Sequence, residues 1–541
     1  MDENELEILC KAENLEEISI ILHIFLKKNE NAFNFPSLAE TNNRILLWTG
    51  IFQHLGNESS SAIHALCLAC VRVLSRDKSE LDSLICLKWI DTLIERAGLT
   101  STYEIPDKDV VVEALKCLYN LTYNSEVARE LCVGTKLAEG LVARTKTYRQ
   151  LPFRNEIMLY DMKLMFILTA LRQDIKLQIK NKFNGMDNLI NCMEEMISEA
   201  DSVNNQVPGT SVLDDKIDYY FLEDFKQTII CEILRTQFNL IMQCTEDSLD
   251  ENEEVMFKRL IPVLARLLYA NTSNEANLME LRSNIANLLT SVQSKFYSDL
   301  TPPLNEGEKA VYVFDGLKMD ALHALLQLLQ YRLTVTTNTQ NQYENLSPIL
   351  TVLNKSVHGC RAQRKYLRQV VLPPLRDVSL PPEKGNTLRN QLCRLLTTPV
   401  TSIRDLVAEF LFVLCKEKVG RFVKYTGFGN AAGHLAQKGL LGAESGAVYS
   451  SSSDDSDTEE YLEAQPHIDP VVGCARPPRI NPFEGMTEEQ KEYEAMKLVN
   501  LFDKMVTAGV VKPARVGPDG RPQPIEHVLE MRENPPNRTQ S

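Results

Sequence analysis

From Met1 to about Tyr425 one kind of segment keeps returning, and it limits what the chain can fold into more than any other feature. Apolar residues recur at three- and four-residue steps over a few helical turns, and a short polar break follows. Ala65–Leu74, Val111–Tyr123, Met162–Leu171, Ile229–Met242, Leu278–Val292, Ile349–Val357 and Arg404–Val413 each place an apolar stripe on one helix face. Before the sixth, Ser347 and Pro348 have the form of an N-cap and a first helical residue. Apolar and polar residues do not alternate between hairpin turns, which argues against strands. The 541 residues exceed what one compact core can serve, since single cores stop growing at roughly 250–300 residues. Stacked helix pairs escape that limit because each buries its face only against its neighbours. The expected fold is all-α, an armadillo/HEAT-type α-solenoid over residues 1–426, curved and carrying a polar groove. Several globular helical domains are the alternative.

Weak internal likeness supports repeats. Leu115–Leu121 (LKCLYNL) resembles Leu234–Leu240 (LRTQFNL), and Arg282–Leu288 (RSNIANL) is a looser third copy. Their spacing is unequal, as inserted loops would make it. Glu199–Asp218 and Glu246–Glu254, the latter with six carboxylates and no base, have the composition of solvated acidic insertions. At Gly427 the character changes. Gly427, Gly429, Gly433, Gly439, Gly442 and Gly446 precede the Ser- and acid-rich run Ser450–Glu460, and Pro477, Pro478 and Pro482 follow. Residues 427–486 are therefore expected to be a flexible acidic linker. Thr487 with Gln490 forms a capping box that opens one more helix, 487–509, through Met496, Val499, Phe502 and Val506. Residues 510–541, rich in Pro and Arg, are expected to be a disordered tail.

The formal net charge of −15 argues against generic nucleic-acid binding, which needs a dominant basic surface. The 13 cysteines show no framework spacing, and most sit in apolar helical runs, the pattern of free thiols in a reducing compartment. No uninterrupted apolar run approaches the ~18 residues of a membrane span, and no signal-like h-region opens the chain. The expected setting is cytoplasmic.

Catalysis needs convergent groups, and the sequence offers none. The eight His are dispersed, with no HExxH pair and no Cys–His zinc spacing. Cys67 and Cys70 form a lone CxxC inside an apolar helix, where core thiols are the simpler reading. No phosphate-cradling glycine loop follows a strand. Neither metal, cofactor nor enzyme activity is expected. The polar stripes say more. Residues four apart share a helix face, so Arg72 projects with Arg76, Lys116 with Asn120 and Asn124, and Arg235 with Asn239 and Gln243. On the lining face of a solenoid, Asn amides can clamp the backbone of a bound peptide and Arg can capture carboxylates. Ordinary solvent-facing stripes are the competing reading. Ser451 and Ser456 each have an acid three residues on, the acid-directed pattern of casein kinase type II.

Five stretches, taken in order, resemble the synembryn family. They are Glu113–Leu118 (EALKCL), Val370–Val378 (VVLPPLRDV), Tyr425–Gly433 (YTGFGNAAG), Asp457–Tyr461 (DTEEY) and Asn481–Gln490 (NPFEGMTEEQ). The resemblance runs from about Ser75–Lys78 to the helix ending near Gly509. It implies a cytosolic chaperone and guanine nucleotide exchange factor for heterotrimeric G-protein α subunits. Such a protein binds the GDP form, takes the C-terminal helix of the α subunit into its groove, and holds the nucleotide-free state until GTP enters. It breaks no bond. The resemblance places Arg72, Arg76, Asn120 and Asn124 at the groove, and the same face carries Lys116, Arg235 and Asn239. It sets the helix of Met496, Val499, Phe502 and Val506 against the nucleotide domain of the α subunit. It puts stimulatory phosphorylation at Ser451 and Ser456, although the Ser451–Ser453 run leaves the first site ambiguous and relatives carry Thr at the second. Recruitment to the cell cortex or plasma membrane is compatible with that role. A passive armadillo adaptor that binds extended peptides without altering its partner is the alternative function.

Overall fold

The computed structural model describes residues 14–39, 43–100, 107–151, 153–204, 220–242, 251–306, 310–336, 339–441, 457–476 and 485–525. Its contacts divide the chain into two units, Met1–Leu300 with Glu306–Val311, and Thr301–Asn305 with Tyr312–Ser541.

The first unit is a double row of helices. In chain order they are α1 (Leu15–Lys28), α2 (Asn43–Leu55), α3 (His64–Leu74), α4 (Leu87–Arg96), α5 (Lys108–Asn124), α6 (Leu137–Thr145), α7 (Arg154–Leu171), α8 (Gly185–Asn204), α9 (Asp224–Ile241), α10 (Glu251–Leu268) and α11 (Glu275–Thr290). Helices α1, α3, α5, α7, α9 and α11 stack one on the next, and the even-numbered helices back them. Each repeat thus buries its apolar stripe against a neighbour, as solenoid packing requires. Helix α5 shows the local logic. Asp107 accepts the Asp109 amide as N-cap, Val111, Leu115, Leu118 and Leu121 turn inward, and Ser125 ends the helix while capping the short helix Glu126–Val133 by accepting the Ala128 amide. Between repeats lies a buried polar tie. Arg144 Nε donates to Asp161 at 2.8 Å and its Nη1 to the Ala97 carbonyl at 2.5 Å, and the Tyr148 hydroxyl adds a 2.8 Å bond to the same carboxylate.

The second unit holds α12 (Asp320–Val335), α13 (Gln342–Gly359), α14 (Arg361–Val371), α15 (Leu388–Leu395), α16 (Thr401–Leu414), α17 (Val419–Thr426) and α18 (Phe428–Gln437). Helix α13 is central, packed by α12, α14 and α16. Several expectations from the sequence are corrected by the structure. Short strands do occur, in three hairpins, of which the first pairs β1 (Val313–Phe314) with β2 (Leu317–Lys318). Helix α13 begins at Gln342, so Pro348 lies inside it and Ser347 is no cap. The acidic run 246–254 is partly structural, because Glu251, Glu253 and Glu254 form the first turn of α10, where carboxylates suit the helix dipole.

Residues 427–486, read as a flexible linker, contain α18, a short helix α19 (Glu459–Ala464) and the hairpin of β3 (Ile468–Asp469) with β4 (Cys474–Ala475). Gly427, Gly429 and Gly439, among the glycines expected to loosen the chain, instead let backbones meet. Gly427 has φ +77°, and an added Cβ would stand 3.0 Å from the Val472 carbonyl oxygen. At Gly473 the added atom would lie 2.9 Å from the Gly427 Cα. The Phe428 and Gly429 amides donate to the Pro470 and Val471 carbonyls at 2.9 and 2.8 Å. Within 510–541, read as disordered, β5 (Ala514–Val516) pairs with β6 (Pro522–Pro524).

Candidate functional site

The polar stripes of the odd-numbered row form one connected surface. Arg72 on α3 donates through Nε to Glu113 on α5 at 2.6 Å, and Lys116 reaches the other oxygen of that carboxylate at 2.7 Å. Lys116 also lies over the Tyr160 ring of α7 at 5.3 Å, with Lys163 over the same ring at 5.4 Å. From α9, Asn239 Nδ2 donates back to α7, to the Phe166 carbonyl at 3.2 Å and Thr169 Oγ1 at 3.1 Å. Arg235 joins Glu232 at 2.9 Å, Glu280 of α11 at 2.8 Å and Asn284 Oδ1 at 3.2 Å. The candidates Arg72, Lys116, Asn120, Asn124, Arg235 and Asn239 are all half-buried on this row. Arg76 sits just past the end of α3. Its guanidinium donates to the Glu30 carbonyl at 2.7 Å and stands 5.6 Å over the Phe33 ring. Gln243 lies outside the described residues.

The asparagines differ from the expectation in one respect. Asn120 Nδ2 donates to the Arg72 carbonyl at 3.1 Å, and Asn124 Nδ2 to the Ser75 carbonyl at 2.9 Å. Each amide therefore satisfies an orphan carbonyl at the C-terminal end of the preceding helix in the row. Among the described residues no donor engages the Oδ1 of Asn120, Asn124 or Asn239. These oxygens are the groups left to accept a backbone N–H. Sequence reasoning also missed Glu113 and the aromatics. Tyr119 and Tyr123 stack with planes 3° apart and centroids 6.5 Å apart, and Lys78 lies 5.4 Å over the Tyr123 ring. Their spacing from Lys116 and Asn120 carried the signal. The surface thus offers cations, acceptors and ring faces side by side, a chemistry suited to an extended peptide with an acidic group.

The last helix, α20 (Glu488–Thr507), opens on the capping box: Thr487 accepts the Gln490 amide while the Gln490 side chain accepts the Thr487 amide. No residue of α20 is buried. Met496 is 62% exposed, and Val499, Phe502 and Val506 are half-buried along the same helix. Ser451 and Ser456 lie outside the described residues. Just after them Asp457 pairs with Lys424, whose ammonium stands 4.1 Å over the buried Tyr461 ring, and Thr458 caps α19.

Both thiols of the CxxC are buried in α3, and burial pushes Cys67 up to about 12, so neither offers a thiolate. Among the described residues no cluster of His, Cys, Asp or Glu is placed to hold a metal ion, and no helix is long and apolar enough to cross a membrane.

A family model described as guanine nucleotide exchange factor synembryn matches residues 67–521. Chaperone Ric-8A of Danio rerio is 36% identical over 529 residues, covering 96% of this chain and 95% of the relative. Chaperone Ric-8 of Drosophila melanogaster is 36% identical over 579 residues, 97% of each chain. A solved structure from work on a phosphorylation switch between cadherin and β-catenin aligns with a TM-score of 0.51 at 13% identity, covering 83% of this chain and 73% of that one. That likeness concerns the armadillo-type fold alone.

Proposed function

Because this chain belongs to the synembryn family of guanine nucleotide exchange factors, we propose that it is an exchange factor and folding chaperone for heterotrimeric G-protein α subunits. It binds the GDP form, promotes GDP release and holds the nucleotide-free protein until GTP enters. The observation that carries this reading is the connected stripe from Arg72 to Asn239, whose cations and free amide oxygens suit the C-terminal segment of an α subunit. Helix α20, with its apolar stripe unburied, supplies a second contact.

The mechanism follows from linkage. A partner that prefers the nucleotide-free state lowers nucleotide affinity by the same factor. Drawing the C-terminal helix away from the core of the α subunit loosens the guanine site, so exchange and chaperoning are one activity and no group here performs chemistry. The setting is the cytoplasm, with recruitment to the cell cortex or plasma membrane. Casein kinase type II acts at Ser451 and Ser456 and raises activity. Replacing both by Ala lowers exchange only in kinase-treated protein, and an equal drop in untreated protein refutes the phosphate role.

GDP release from a purified α subunit, with and without this protein, tests the whole reading. Release accelerates if it is right. Binding without accelerated release leaves the passive adaptor instead.

A further inference from the structure

Helix α20 buries none of its own residues, yet its C-terminal end is not left to drift. Gly509, at φ +70°, ends the helix in a Schellman turn: its amide donates to the Val506 carbonyl at 2.9 Å and the Val510 amide to the Met505 carbonyl at 3.0 Å. The chain then passes directly into the β5–β6 hairpin, where Ile525 is buried and its amide closes onto the Pro513 carbonyl at 3.1 Å. The hairpin turn rests on the end of α18. The Leu441 amide donates to the Gly520 carbonyl at 3.2 Å. Gly520 meets Gly439 backbone to backbone, so closely that a Cβ on Gly520 would overlap the Gly439 carbonyl oxygen. Both residues have positive φ, +71° at Gly439 and +70° at Gly520. Two glycines facing each other at such a distance are an element of fit, since any side chain at Gly520 would part the two segments.

We propose that the 514–524 hairpin is a clasp and that Gly439 and Gly520 are positioning residues, fixing the C-terminal end of α20 so that the helix is presented to its partner already oriented. This rests on the reading of α20 as a contact for the G-protein α subunit. The gain is that of preorganisation: a helix held in its binding direction loses less freedom on association than one trailing from a single connection.

The test uses the full chain carrying Gly520→Val, with a second protein ending at Val511. Hydrogen exchange over 508–525 and at Leu441 reports the clasp. Affinities for a whole nucleotide-free α subunit and for its isolated C-terminal peptide report the function. In Gly520→Val the hairpin and the Leu441 amide should exchange faster, peptide affinity should stay at the wild-type value, and affinity for the whole α subunit should fall roughly tenfold. The truncated protein should show the same loss. Retained hairpin protection in Gly520→Val overturns the clasp, and so does lost protection with wild-type affinity for the whole α subunit. A deletion of 487–509 that leaves that affinity unchanged refutes the contact itself. A deletion that lowers it while Gly520→Val does not refutes only the clasp.

Discussion

Helices α7 and α20 are both amphipathic, and they use that property in opposite ways. Helix α7 buries Ile157, Met158, Met162, Leu164, Met165, Ile167 and Leu168 between its neighbours in the row, whereas α20 buries nothing. In α7 most of the apolar stripe is consumed by the fold, and the row presents polar groups such as Lys163, Lys116 and Asn239 beside a few exposed apolar side chains, among them Tyr123 and Leu171. In α20 the apolar stripe itself is on offer. A helical period therefore says that a face needs covering, and the tertiary setting decides whether the chain or another molecule covers it. Substitutions of buried residues in the first unit should cost stability, and changes in α20 should cost only function.

The sharpest way to break that contrast is at the buried tie. Arg144→Ala leaves the Asp161 carboxylate buried without its cation and should cost about 3–5 kcal/mol, read as a fall in the urea midpoint. A loss under about 1 kcal/mol would mean that the repeats do not depend on it. Next in size, deleting Thr487–Gly509 should leave the melting temperature where it is while exchange on the α subunit drops at least about tenfold. Binding of an isolated peptide with the C-terminal sequence of the partner should survive the deletion, and equal losses in both assays would contradict separate roles. Third, Arg72→Ala with Arg76→Ala should weaken binding of that peptide several-fold with the fold intact by circular dichroism. Unchanged affinity would remove both residues from the site. The smallest effect sharpens the contrast rather than breaking it. Asn120→Ala removes an amide that closes the Arg72 carbonyl and should cost about 1 kcal/mol of stability. A stable variant with weakened peptide binding would assign Asn120 to the ligand alone.

The helices were legible because a stripe at every third or fourth residue survives any loop insertion. Their starts were less so. Helices α5 and α9 begin before the apolar run, at Lys108 and Asp224, because first turns carry polar residues that add little to the period, whereas α7 begins at Arg154 and its early residues Ile157 and Met158 are buried ahead of the expected run. Pro348 misled for a related reason: proline is commonest at a first position, but here a turn and more of helix precedes it. Which side chains share the row was readable from four-residue spacing. That the Asn120 and Asn124 amides would be spent on the preceding helix was not, since it depends on the register between helices far apart in sequence. The glycines failed most instructively. Glycine permits looseness, positive φ and close approach alike, and only the partner segment reveals which is meant: Gly427 with Gly473, Gly439 with Gly520. The capping box at Thr487 was readable because its two bonds lie within three residues.

The docking of Asp457 and Thr458 carries a consequence for how the chain can vary. Leu441 is held through Gly520, and Asp457 and Thr458 are held by Lys424 and the Leu375 carbonyl, so the chain is pinned to one unit both before and after the serine-rich run. Each pin is a hydrogen bond or an ion pair, and losing one costs about 1 kcal/mol. Variation at Asp457, Thr458 or Gly520 is therefore felt by the fold itself, through partners far away in sequence.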